Sequence, residues 1–334
     1  MKKTTVLGAG SWGTTLALQL ARNQHEVRLW EYRPEVAQVL AETRRNDPFL
    51  PGIPIPNSIT ISADLEALVA DADLIAFVVP SSAVRSVAHQ LNRCEMKSPI
   101  IVNAAKGIEI DSLLRMSEVL KEELPGRFHP RIATLSGPSH AEEVSRNIPT
   151  TIVAASENPE IAAEVQATFM SPTLRIYTNR DIVGVELAGS LKNVIAIATG
   201  ICDGLGFGDN TKGALLTRGL AEISRLGVAM GANPLTFAGL SGMGDLITTC
   251  MSRHSRNRYV GEQIGKGRKL AEILDEMVMV AEGVKTTRSA HQLRQKMNID
   301  MPITEKVYDV LFNNEDPKTA VASLMERDPK SEIE

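Results

Sequence analysis

Short runs of apolar and β-branched residues recur through the first half of the chain, separated by stretches whose apolar positions fall three and four apart. Runs of the first kind read as strands and stretches of the second as helices. Residues 3–7, 26–30, 74–79 and 100–103 begin a strand series that 131–135, 151–155 and 174–177 continue. Strand and helix in alternation predict a mainly parallel sheet covered by helices, an α/β architecture. Pro48, Pro51, Pro54 and Pro56 exclude regular helix or central strand nearby, so residues 46–58 read as a surface loop near the ligand edge of the sheet. After about Asp181 the β-branched runs give way to Ala, Leu, Gly and Met at helical spacing, which predicts an all-α second domain. The expected division is 1–181 and 182–334, with a first helix over 182–198, a loop at Gly204, Gly206 and Gly208, and a frayed polar tail over 327–334.

Composition narrows the class without changing this picture. A chain of 334 residues with 43% hydrophobic and 23% charged residues is long enough for two cores. A net charge of −4 argues against global attraction to nucleic acid or anionic membranes. Cys94, Cys202 and Cys250 are too scattered for a disulfide framework or a zinc site, and the six histidines show no metal spacing, so no metal is expected. No window reads as apolar for long enough to span a bilayer, and the N-terminus passes from lysines into a strand, so the expected location is the cytoplasm.

The most specific local signal is Gly8-Ala9-Gly10-Ser11-Trp12-Gly13, placed directly after the first strand and directly before a helix. Gly8 suits a tight turn, Gly10 a close approach to pyrophosphate and Gly13 close helix–strand packing, with the helix N-terminus aimed at the phosphates. This is the dinucleotide fingerprint of a Rossmann-type N-terminal domain, and it predicts NAD or NADP. The second strand ends in Trp30-Glu31-Tyr32-Arg33, which offers an acid for the NAD ribose and an arginine for the NADP phosphate. Both cofactors stay open. The loop Val78-Val79-Pro80-Ser81-Ser82 and the turn carrying Lys106 end two further strands, on the ligand edge of a parallel sheet.

In the helical half, Lys192 stands among Ala188, Leu191 and Val194, where desolvation would make its ammonium a better proton shuttle. A snorkelling side chain or a structural ion pair fits the same position. Asp245, in Gly242-Met243-Gly244-Asp245, suits a helix cap or a partner for Lys192. Arg253-His254-Ser255-Arg256-Asn257-Arg258 gathers guanidinium, hydroxyl and amide donors suited to a phosphate monoester, or to a solvated basic face.

The stretches Val185-Glu186-Leu187-Ala188-Gly189-Ser190-Leu191-Lys192-Asn193-Val194 and Cys202-Asp203-Gly204-Leu205-Gly206-Phe207-Gly208-Asp209-Asn210-Thr211-Lys212 closely resemble NAD(P)-dependent glycerol-3-phosphate dehydrogenases of the bacterial type. So do Phe49-Leu50-Pro51-Gly52, Ala105-Lys106-Gly107, Ser136-Gly137-Pro138-Ser139, the Gly239–Leu246 turn and Ser255-Arg256-Asn257-Arg258, spread over nearly the whole chain. The resemblance implies interconversion of dihydroxyacetone phosphate and sn-glycerol 3-phosphate for phospholipid synthesis, by a homodimer joined through the helical domain. It implies Lys192 as acid–base catalyst and Lys106, Gly137, Ser139, Asn193, Asp245, Ser255, Arg256 and Asn257 as substrate contacts. Cofactor contacts implied or read locally are Gly8, Gly10, Ser11, Trp12, Gly13, Tyr32, Arg33, Lys106, Ala141, Arg256, Val280 and Glu282. His140 stands where the family usually carries Phe, and is expected to be a tolerated surface substitution. The competing readings are a β-hydroxyacid dehydrogenase, which would bind a carboxylate in place of the phosphate, and a non-catalytic dinucleotide sensor.

Overall fold

The computed structural model describes every residue of the chain except 278, 330, 333 and 334. Its eight-stranded sheet has the order β3-β2-β1-β4-β5-β6-β7-β8. The strands are β1 (Lys3–Leu7), β2 (Glu26–Trp30), β3 (Ile59–Ser62), β4 (Leu74–Phe77), β5 (Ile100–Asn103), β6 (Ile132–Ser136), β7 (Thr150–Ala155) and β8 (Leu174–Asn179). Strands β1 to β6 are parallel, and β4 and β5 are buried along their whole length, as a sheet covered on both faces requires. The chain leaves β1 for β2 on one side and reaches β4 on the other, so a crevice opens beyond the carboxyl ends of β1 and β4.

Three features depart from the sequence expectations. Strand β7 runs antiparallel to β6 because the connection holds only the short helix Ala141–Val144 rather than a full crossover, and β8 follows β7. Strand β3 was hidden behind the proline-rich segment. That segment is not a free surface loop: Leu50 and Ile55 are buried in the core, and Asn46 Nδ2 donates to Ala9 O and Thr14 Oγ1, both at 2.8 Å. A loop carrying its own apolar anchors packs down despite its prolines.

Helix α1 (Ser11–Arg22) follows the glycine turn. Beyond β8 the described residues are helical or irregular, beginning with α2 (Ile182–Gly204), whose N-terminus is capped by Asp181 Oδ1 accepting from Gly184 N at 2.8 Å. At 23 residues with mean hydropathy 1.4, α2 is long and apolar enough to cross a bilayer, which corrects the expectation that no segment is; yet 94% of its apolar window is buried inside the protein. Helix α3 (Asp209–Ala229) follows, then α4 (Asp245–Met251), α5 (Arg256–Gly265) and α6 (Glu282–Met297). Of the tail expected to fray, Arg327 is paired with Asp300 at 3.0 Å, while 330, 333 and 334 lie outside the described residues.

Helices α2 and α5 meet backbone to backbone. A Cβ on Gly200 would stand 2.0 Å from Arg258 O, and one on Gly261 would stand 2.0 Å from Ile197 O. Only glycine permits that approach, and it holds the residues at the start of α5 close against α2. Gly261→Ala is expected to push the helices apart at a cost of about 1–3 kcal/mol. Thermal unfolding should show a lowered midpoint, together with a raised KM for substrate.

Candidate active site

The glycine turn is built as its spacing implies. Gly8 has φ +109°, and its N–H donates to Trp30 O at 3.0 Å, tying the turn to the end of β2. A Cβ on Gly13 would strike Gly8 O at 1.8 Å, so α1 starts in direct contact with the turn. Gly10 is the N-cap of α1, carries no side-chain cap and faces open space. Unsatisfied N–H groups at the helix start therefore remain available to an anion. These are the features a dinucleotide pyrophosphate needs.

They open into a cleft of about 460 Å³ between the sheet edge and the helical half. Gly8, Gly10, Ser11, Trp12, Tyr32, Arg33, Ala141, Val280 and Glu282 all line it. So do Lys106, Ser139, Lys192, Asn193, Asp245, Ser255, Arg256 and Asn257. Gly13 and Gly137 stand behind the lining; Gly137, at φ +131°, turns its carbonyl to accept from Lys106 Nζ at 3.1 Å. Every other residue named from the sequence as a catalytic, substrate or cofactor contact lines this one cavity, whereas Arg253, Arg258, Ser81 and Ser82 do not.

At its floor, Asp245 is 2% exposed and lies between two lysines. Its Oδ1 accepts from Lys192 Nζ at 2.8 Å and its Oδ2 from Lys106 Nζ at 2.7 Å. Burial would raise the Asp245 carboxyl, but Lys106 and Lys192 together hold it below the ordinary range, so it stays ionised. Lys192 is 6% exposed, and burial pulls its ammonium down to about 8 against the opposing pull of Asp245. Of the alternatives left open for Lys192, the ion pair is realised, and burial lowers the ammonium that makes it.

Sequence reasoning missed Thr249, whose Oγ1 accepts a hydrogen bond from Lys192 Nζ. The signal was present, because Thr249 lies one turn after Asp245 on α4 and so faces the same way. A second chain of bonds runs across three helices. Asn257 Nδ2 donates to Asn193 Oδ1 at 2.9 Å, and Asn257 Oδ1 accepts from Gly283 N at 2.9 Å. This fixes the Asn193 amide with its Nδ2 as the free donor. Ser255 caps α5, accepting from Arg258 N at 3.2 Å while its O–H remains free to donate. Arg256 makes no hydrogen bond or ion pair among the described residues and turns its guanidinium to the open cleft.

The cofactor rim resolves into contacts. Arg33 Nε donates to the buried Glu31 carboxylate at 2.8 Å, and the Arg33 guanidinium sits 5.1 Å from the centre of the exposed Tyr32 ring. Glu282 accepts from Ser81 N at 3.1 Å and from Ser81 Oγ at 2.6 Å, joining the helical half to the sheet edge. His140 corrects the expectation of a surface site. It lines the cleft with its Nε2 buried and without a hydrogen-bond partner among the described residues, its ring 5.9 Å from that of His254. Burial, reinforced by Lys192, lowers its basicity.

Family models for the N-terminal and C-terminal parts of NAD-dependent glycerol-3-phosphate dehydrogenase match residues 3–162 and 181–322. The glycerol-3-phosphate dehydrogenase (NAD(P)+) of Prosthecochloris aestuarii is 54% identical over 329 residues, covering 98% of this chain and 99% of the relative. Its counterpart in Bacillus subtilis is 52% identical over 334 residues, covering 100% of this chain and 97% of the relative. The crystal structure of glycerol-3-phosphate dehydrogenase from Coxiella burnetii superposes with a TM-score of 0.92 at 39% identity, covering 98% of this chain and 99% of that one. A ketopantoate reductase from Ralstonia eutropha, at TM-score 0.59 and 16% identity over 95% of this chain and 99% of that one, shares the fold alone. Matched along nearly its whole length, with the dinucleotide turn and the lysine–aspartate floor in one cleft, the chain belongs to the NAD-dependent glycerol-3-phosphate dehydrogenase family.

Proposed function

We propose that this chain reversibly reduces dihydroxyacetone phosphate to sn-glycerol 3-phosphate with NADH or NADPH, supplying glycerophospholipid synthesis. One observation carries the reading: a buried lysine held by Asp245, and an arginine unpaired among the described residues, open into the cleft that the dinucleotide turn also lines. A β-hydroxyacid dehydrogenase would need only a carboxylate site, whereas Ser255 and Arg256 at the start of α5 offer a hydroxyl, a guanidinium and helix N–H groups suited to a phosphate dianion.

When bound, the reduced nicotinamide supplies the hydride. The chain supplies the rest. Lys192 has three N–H donors; Asp245 and Thr249 take two, leaving one for the ketone oxygen as negative charge develops there. That proton passes to the oxygen in reduction and returns to the amine in alcohol oxidation. Asn193 Nδ2 is the second donor aimed at the substrate. Asn257 acts by orienting Asn193, and Lys106, with Ser139 beside it, completes the substrate site from the sheet side. On the cofactor side, Ser11, Trp12 and the α1 N–H groups hold the pyrophosphate; Glu31, Tyr32 and Arg33 meet the adenine ribose; and Ala141, Val280 and Glu282 face the nicotinamide end. We divide the chain into 1–181 for the cofactor and 182–334 for substrate and catalysis. We also take the working form to be a cytoplasmic homodimer that requires no metal and engages neither nucleic acid nor membrane. Exposed apolar side chains at Val228, Leu235 and Met251 in the helical half support the dimer.

Four outcomes are expected. Reduction needs the Lys192 ammonium, so its kcat should fall as pH rises through about 8, while oxidation needs the free amine and should gain over the same range. Lys192→Ala should keep its fold and cofactor affinity and lose ~10²–10⁴ in kcat, read by single-turnover NAD(P)H oxidation; an unchanged chemical step removes Lys192 from the mechanism. Arg256→Ala should lower kcat/KM for the phosphorylated ketone by roughly 100-fold or more while cofactor affinity, measured by fluorescence quenching, holds. Because Glu31 and Arg33 hold each other, both cofactors should work, and Arg33→Ala should raise KM for NADPH by about tenfold and leave NADH nearly unaffected.

A further inference from the structure

Six residues before Lys192 on α2, the Glu186 side chain is 6% exposed and serves as a buried acceptor for three other chain segments. Its Oε2 accepts from Arg115 Nη1 at 2.8 Å and from Ser117 Oγ at 2.6 Å. Its Oε1 accepts from Ser117 N at 2.9 Å, from Thr134 Oγ1 at 3.0 Å and from Asn103 Nδ2 at 3.3 Å. Asn103 ends β5, and its side chain also bonds Ala105 N at 3.0 Å and Ala105 O at 3.1 Å, clamping the turn that presents Lys106. Thr134 lies on β6, just before Gly137, whose carbonyl holds Lys106 Nζ.

We propose that Glu186 is the positioning residue of the active site, a buried carboxylate that locks the strand ends carrying Lys106 and Gly137 to the helix carrying Lys192. It touches no substrate. It acts through the lysines, fixing how far apart two ammonium groups stand across Asp245. The arrangement is overdetermined for a brace alone, since Arg115 would satisfy the charge without Asn103 or Thr134. Those two bonds are the ones that reach the catalytic edge of the sheet. The inference rests on the dehydrogenase reading above.

Glu186→Gln tests it, keeping the shape while removing one of the two acceptor oxygens, so that one amide oxygen cannot hold the Arg115 and Ser117 Oγ side and the Thr134 and Asn103 side together and the five-bond network must rearrange. Cofactor affinity should fall less than kcat, because no residue of the network belongs to the α1 turn. The kcat with dihydroxyacetone phosphate should fall about 10- to 100-fold, the cost of misplacing reacting groups by a fraction of an ångström to an ångström. The decisive readout is pH. With Lys106 loosened from Asp245, its repulsion of Lys192 weakens, so the alkaline limb of reduction should move to higher pH. If Glu186→Gln does not fold, Thr134→Val removes only the β6 bond and should move kcat and the limb in the same directions by smaller amounts. A folded Glu186→Gln, or Thr134→Val in its place, with wild-type kcat and an unmoved pH limb overturns the proposal, as does a loss of thermal stability alone. Wild-type enzyme inactive on dihydroxyacetone phosphate would instead overturn the functional reading, so the two failures are distinct.

Discussion

A carboxylate removed from water between two ammonium groups is the constraint around which this molecule is arranged. Asp245 could not stay ionised in its buried position without Lys106 and Lys192, and the lysines could not face each other without Asp245. The three come from the sheet edge, from α2 and from α4, so none of those elements can shift without stranding a charge. Two cations against one anion leave the floor with a positive excess. Arg256, which makes no hydrogen bond or ion pair among the described residues, adds a further cation to the same cleft, with Glu282 and Glu142 near enough to attract it.

Such a floor needs rigid walls. Helix α2 is apolar enough to resemble a membrane span, yet it carries Glu186, Lys192 and Asn193, each with a partner on another element. Apolar bulk buries the helix, and its few polar groups are matched one by one. The Gly200 and Gly261 contacts draw α5 against α2 at backbone distance, so the start of α5, with Ser255 and Arg256, is placed by hard-sphere contact rather than by long side chains. Lys192 and Arg256 are thereby fixed on one helical block.

The cofactor half was legible because its determinants are local. A glycine triplet between a strand and a helix specifies turn, approach and packing within a few residues, and the structure repeats that reading at Gly8 and Gly13. The parallel strands other than β3 were legible for the same reason, through β-branched runs of the right length. What stayed hidden depended on partners distant in sequence. No pattern in residues 46–58 announces that Asn46 bonds the glycine turn or that Leu50 and Ile55 join the core. The reversal of β7 is invisible in strand composition and follows only from a connection too short to cross over. His140 read as a surface residue because its environment is made by Lys192 and His254, which approach only in the folded chain. Motif resemblance supplied the residue set of the site, and the structure supplied the directions of its bonds: Asn257 spends its amide on Asn193 and Gly283, something no spacing reveals.

The joints between the halves are unequal in strength. The Glu186 network ties α2 to β5, β6 and Arg115 through five bonds to one buried carboxylate, and unbuckling it would expose a charge and several unsatisfied donors together. Across the cleft, the rim joint is the Glu282 carboxylate on Ser81, helped by Lys285 Nζ donating to Ser82 Oγ at 3.0 Å, and these groups are partly open to water, while farther along α6 the buried Ser289 Oγ donates to Ile108 O at 2.9 Å. Water can replace the rim set bond for bond at little cost. The Glu282 rim is therefore the cheaper of the two joints to open, and the Glu186 network beside the lysine–aspartate floor the more costly one.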